Sequence, residues 1–212
     1  MEGYITALKE SVYEITEKRS RFIATLRHCE NEEAAASFLS EMRARYWDAR
    51  HNVFAYSVSG GAFKRFSDDG EPHGTAGKPV LDVVEGSGMT DIAIVVTRYF
   101  GGVLLGTGGL VRAYSAAAKG AADQAERVRM TPCAVYKVTC PYADHDRLLH
   151  LIENAGGRVE DTAFAEAVTL QFYLEDAAAA GMEAKLRETF SARLIAERLE
   201  ERLLPVKTED RP

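Results

Sequence analysis

The chain has 212 residues, a formal net charge of −6, 46% hydrophobic residues and 27% charged ones. That balance is ordinary for a globular protein, and it excludes a chain that coats nucleic acid through bulk positive charge. The longest apolar run, Ile92 to Val96, is far too short to cross a bilayer.

The N-terminus MEGYITALKE lacks a basic region followed by an apolar block, so no secretory signal is expected. Cys29, Cys133 and Cys140 are odd in number and form no CxxC pair. Reduced thiols in a cytoplasmic protein are the expectation, with no disulfide frame and no structural zinc. Residues 1–130 carry 16 Lys and Arg against 17 Asp and Glu, and residues 131–212 carry 10 against 15. Glycine divides 14 to 3 over the same segments. Two differently built domains, 1–130 and 131–212, are expected, with a protease-accessible joint near 128–134.

Val12 to Ile15 and Phe22 to Leu26 read as a hairpin around the charged turn EKRSR. Asn31 caps a helix over EEAAASFLSEMRARY, whose acidic first turn and basic last turn match the helix dipole. Ala35, Phe38, Leu39 and Met42 give that helix one apolar face. His51 to Val58 alternates as a strand, followed by a loop at Gly60-Gly61 and turn chemistry at Ser67-Asp68-Asp69-Gly70. Lys78-Pro79 starts a second helix, with Val80, Leu81, Val83 and Val84 inward and a stop at Gly86-Ser87-Gly88. Asp91 to Thr97 is a central buried strand. Gly101-Gly102 turns the chain, and Gly106-Thr107-Gly108-Gly109 leads into an alanine-rich helix from Leu110 to about Glu126.

The second part predicts a strand over Val135 to Cys140, a helix to Ala155 and a strand over Arg158 to Thr162. Val168, Leu170, Phe172 and Leu174 then alternate as a half-buried strand, and Asp176 opens a helix through Phe190. Ala192 to Leu204 fits strand or helix. Taken as a strand, it completes the order βαββαβ of a ferredoxin-like unit.

Twelve of the 17 glycines lie between Gly60 and Gly109. The stretch from Ser67 to Tyr114 also holds Asp68, Asp69, Glu71, His73, Lys78, Arg98, Tyr99 and Arg112, and function is expected there. Conventional phosphate motifs fail: Pro72 and Pro79 break a Walker loop at Gly77-Lys78, and Val111 replaces the third glycine of a dinucleotide fingerprint. What remains is a glycine-rich turn into a helix N-terminus, which offers free N–H groups and a positive dipole end to an anion. Lys78, Arg98, Tyr99, Gly106, Thr107, Gly108, Gly109 and Arg112 are its candidate anion-binding residues. Close packing of the helix on the sheet explains the same glycines equally well.

Asp68, Asp69 and Glu71 form an acidic loop that suits either a cation or general base or a simple turn. Asp68 or Asp69 is expected within reach of Arg98 or Lys78, because charges in a glycine-rich core need partners. The histidines show neither HxxH nor HExxH spacing, so no metal and no cofactor are assigned. No GxSxG context supports a nucleophile.

The blocks ARHNVFAY, FSDDGEPHGTAGKPVLDVV and VVTRYFGGVLLGTGGLVRAYSAA closely resemble the IMPACT family, whose bacterial members are the YigZ/YvyE-like proteins. The resemblance covers roughly residues 15–125. It implies an α+β chain: a ribosomal-protein S five, domain-two-like N-terminal domain with helices on one face of its sheet, then a ferredoxin-like C-terminal domain. It also implies a cytoplasmic regulator connected with translation, contacting RNA, the ribosome or a translation factor through the 67–114 face, with no membrane or DNA partner. A small-molecule enzyme binding a phosphate-containing ligand at the same glycine-rich site is the alternative. A protein-interaction regulator without a ligand site is the third.

Overall fold

The computed structural model describes residues 3–206. It is a mixed α+β chain with two sheets and, among the described residues, five α-helices. The chain divides into two compact units, residues 4–129 and 130–206.

In the first unit, β2 (Ser11–Glu17), β3 (Ser20–His28), β4 (His51–Val58), β5 (Phe63–Ser67) and β6 (Ile92–Tyr99) form an antiparallel sheet in the order β2-β3-β6-β4-β5. A short β1 (Tyr4–Ala7) precedes it. Lys18 and Arg19, both at positive φ, make the β2–β3 turn. The glycines at 60 and 61 sit in a hairpin to β5, where a loop was expected.

Helix α1 (Glu32–Arg45) is capped by Asn31, whose side chain accepts from Ala34 N–H. It buries Ala35, Phe38 and Met42 against Phe54, Tyr56, Val58, Ala93 and Val95 on one face of the sheet. Helices α2 (Gly77–Gly86) and α3 (Thr107–Gln124) cover the other face, packing Val80, Leu81, Val84 and the α3 alanines on Phe22, Leu26, Val53, Ile92, Ile94 and Val96. The resemblance implied helices on one face; here both faces of β6 are helix-covered. Ile92, Ile94 and Val96 point one way and Ala93 and Val95 the other, which is why the strand reads as continuously apolar.

Helix α2 begins at Gly77, so Pro79 stands third, not first. Helix α3 begins three residues before the expected Leu110. In the second unit, β7 (Arg127–Cys140), β8 (Arg158–Phe164), β9 (Val168–Glu175) and β10 (Ala196–Val206) give the order β10-β7-β9-β8, with α4 (His145–Asn154) and α5 (Asp176–Thr189). The segment whose sequence fits either structure is thus a strand. Residues 128–134 belong to β7, with Val128, Met130 and Cys133 buried, and not to an exposed joint. Among the described residues, no helix is long and apolar enough to cross a membrane.

Candidate functional site

Strand β6 carries its inward stripe, Ile92, Ile94 and Val96, one step further to Arg98. The sheet register sets Phe22 of β3 on one side of Arg98 and His51 of β4 on the other. Arg98 is only 5% exposed. Its Nη1 donates to Glu71 Oε1 at 2.5 Å, Nη2 reaches Ser20 Oγ at 3.4 Å, and Nε has no partner. Glu71 Oε1 also accepts from the buried Tyr114 hydroxyl at 2.8 Å. Burial, and then the Glu71 carboxylate, push the Tyr114 hydroxyl far above its ordinary range. A buried carboxylate holding a guanidinium and a phenol is a stiff polar support.

His51 Nδ1 lies 2.7 Å from the Asp69 carbonyl, which can only accept. The proton of the neutral ring is therefore on Nδ1, and Nε2 carries the lone pair. Nε2 lies 3.8 Å from Glu71 Oε1, beyond hydrogen-bond distance.

His51, Glu71 and Arg98 line a cavity of about 400 Å3, with Arg50, Gly70, Pro72, Phe100, Leu104, Leu105, Gly106, Thr107 and Leu110 completing the wall. The Arg50 and Arg98 guanidinium groups lie 5.8 Å and 5.5 Å from the Phe100 ring centroid. The wall includes the N-terminus of α3. Gly106 there has φ 73° and ψ 167°, a conformation essentially reserved for glycine, and no side chain caps the helix. Leu110 N–H bonds the Gly106 carbonyl; the N–H groups before it have no intrahelical acceptor. The loop into α3 is pinned at Gly101, where a Cβ would sit 2.1 Å from the Arg19 carbonyl carbon. Gly101 N–H donates to Ser20 Oγ.

The structure brings Glu71, Arg98, Gly106 and Thr107 of the expected residues to this one cavity. Lys78 is elsewhere, on the exposed side of α2 and ion-paired with Asp82. Arg112 and Gly109 line a separate cavity of about 250 Å3 with Ile15, Glu17, Lys18 and Leu105. Gly108 lies in the exposed first turn of α3. Tyr99 is half-buried and donates to Asp48.

The acidic loop separates into three roles. Asp68 accepts from Gly74, Ala76 and Gly77 N–H at the start of α2. Burial opposes its charge, but those three donors and His73 outweigh it and hold the carboxyl below the usual range. Asp69 accepts from Asn52 N–H at 2.6 Å and pairs with Arg43 at 3.6 Å. The expected pairing of Asp68 or Asp69 with Arg98 or Lys78 is thus corrected: Glu71 holds Arg98, because both aspartates are occupied with backbone donors. Among the described residues, no group of three His, Cys, Asp or Glu is placed to hold a metal.

Arg50, His51, Phe100 and Leu104 were not among the expected site residues. His51 and Arg98 are 47 positions apart, and only the β4–β6 register makes them neighbours.

The arrangement matches known proteins over most of its length. Residues 18–122 fit the Impact N-terminal domain, and residues 138–193 fit a domain of unknown function (DUF1949). The chain is 40% identical over 174 residues to IMPACT family member YigZ of Escherichia coli (strain K12), covering 81% of this chain and 85% of that one. It is 34% identical over 97 residues to the protein IMPACT homolog of Dictyostelium discoideum, covering 43% of this chain and 28% of that one. A crystal structure of a hypothetical protein superimposes with a TM-score of 0.63 at 36% identity, covering 94% of this chain and 98% of that one. Similarity of this extent to YigZ, with the Impact domain matched across the whole cavity, makes the chain a member of the IMPACT family.

Proposed function

We propose that this is a cytoplasmic regulatory protein connected with translation, which recognises a phosphate group of RNA in the cavity around Arg98. The observation that carries it is the excess of donors. A buried guanidinium with an unpartnered Nε, the exposed Arg50 and an uncapped helix N-terminus converge on one space, and Glu71 alone opposes them. Such a set favours an anion. The link to translation rests on family membership and on fold analogy. In that analogy residues 4–129 resemble domain two of ribosomal protein S five. Residues 130–206 resemble a ferredoxin-like unit, supported by the βαββαβ order and the strand order β10-β7-β9-β8.

The test is anisotropy titration of single-stranded RNA across a salt series. Each phosphate contact contributes about −0.7 to the slope of log K against log salt. Arg50→Ala is expected to weaken binding and flatten the slope by about that amount, and Lys78→Ala to leave both unchanged. Equal behaviour of the two variants would remove the cavity from the reading. The confined volume favours a second reading, a small phosphate ester, for which RNA binding is absent and the ester raises the melting temperature in wild type but not in Arg50→Ala.

A further inference from the structure

The cavity holds a polar group that an anion alone does not use. In the neutral ring the Asp69 carbonyl fixes the His51 proton on Nδ1 and leaves the lone pair on Nε2. It lies against the same Glu71 oxygen that receives Arg98. A hydroxyl donor next to the anion would satisfy it. Beside both, Phe100 remains 38% exposed and Leu104 81% exposed, an apolar lip at the mouth of the cavity. Anion, neighbouring hydroxyl and flat apolar group together describe one chemical class.

We infer that the ligand is a phosphorylated ribose bearing a base, and that His51 is the residue that selects ribose over deoxyribose. The phosphate meets the Arg98 guanidinium, Arg50 and the α3 N–H groups. The adjacent 2′-hydroxyl donates to His51 Nε2, and the base rests on Phe100 and Leu104. The helix N-terminus does not stand alone here: Arg98, buried and with Nε unpartnered, lines the same cavity. The 2′-hydroxyl is what distinguishes RNA from DNA at a given site. A site built to bond a hydroxyl discriminates strongly against the analogue that lacks it. This inference rests on the anion reading above and names its ligand.

The experiment compares single-stranded RNA and DNA oligonucleotides of one sequence, and adenosine 3′-monophosphate with its 2′-deoxy counterpart. RNA, the free ribonucleotide or both are expected to bind about tenfold tighter than the deoxy partner, the contribution of one net hydrogen bond. Whichever pair shows the preference identifies the source. His51→Asn keeps a donor for the Asp69 carbonyl and lacks Nε2, so the ratio of ribose to deoxyribose affinity should fall to about one. Equal binding of ribose and deoxyribose forms by the wild-type protein overturns the inference and leaves the anion reading standing. A preference that persists in His51→Asn overturns it too. No binding of any of the four probes overturns both. The wild-type ratio decides the matter even where the variant folds poorly.

Discussion

Removing the Glu71 side chain is the sharpest perturbation of the site. Glu71→Ala leaves Arg98, 5% exposed, with no carboxylate, and the Tyr114 hydroxyl with no acceptor. Removing one partner of a buried ion pair costs about 3–5 kcal/mol, because the other charge stays buried and uncompensated. For a unit of this size each kcal/mol moves the melting temperature by about 4 °C, so a fall of about 12–20 °C is expected. Far-UV circular dichroism in a urea or thermal series is the assay. The single tryptophan, Trp47, is 81% exposed and would report the transition poorly. Glu71→Gln, which keeps an oxygen acceptor, should lose less. Glu71→Ala combined with Arg98→Met should be more stable than the sum of the single losses by about 2 kcal/mol, since the unpaired charge leaves with its partner. A loss below about 1 kcal/mol for Glu71→Ala, or simple additivity in the double variant, would refute the view that this pair supports the cavity.

Asp68 predicts an acid dependence. Its folded carboxyl is held below the unfolded value of about 3.9, so its stabilisation is present above that pH and is lost as pH falls through the folded value. The gap in melting temperature between wild type and Asp68→Asn should therefore be constant near neutrality and narrow below about pH 4; a gap unchanged at pH 3 would count against the cap. The three cysteines are buried, and burial pushes the Cys29 and Cys133 thiols up to about 11 and Cys140 upward as well. Thiol reagents at pH 8 should leave all three unmodified in the folded protein and titrate three after denaturation. Rapid native modification of any of them would show that its element opens.

Much of the fold is legible in local chemistry. Asn31 caps α1 as its side chain and the acidic first turn require, and the strict alternation of Val168, Leu170, Phe172 and Leu174 becomes β9. The elements missed are β1, of four residues, and β5, whose FKRFS carries two cations in an exposed edge strand and has no apolar alternation to read. The site is legible only in part. Arg98, Gly106 and Thr107 share a short stretch of chain, so glycine density points at them. His51 lies on another strand, and no spacing in the sequence announces which strand is its neighbour. Lys78 misleads because α2 starts at Gly77, where Asp68 accepts from the Ala76 and Gly77 N–H groups, and Lys78 in that first turn is exposed and pairs with Asp82.

The net charge of −6 does not argue against an anion in the cavity. Acidic residues are distributed over both units, and at physiological ionic strength exposed charges are screened beyond about 8 Å. Inside the cavity the relevant groups are few and close: Arg98 and Arg50 against Glu71, with the α3 dipole adding to the positive side. Glu71 does not neutralise this balance by accident of packing. Without it Arg98 could not be buried at the end of an apolar stripe, and without burial its Nε would be satisfied by water instead of standing without a partner. The same carboxylate that stabilises the fold therefore keeps one guanidinium donor unspent. That double use of Glu71 is why loss of the ion pair should reach ligand affinity and stability together, whereas loss of the exposed Arg50 should reach affinity alone.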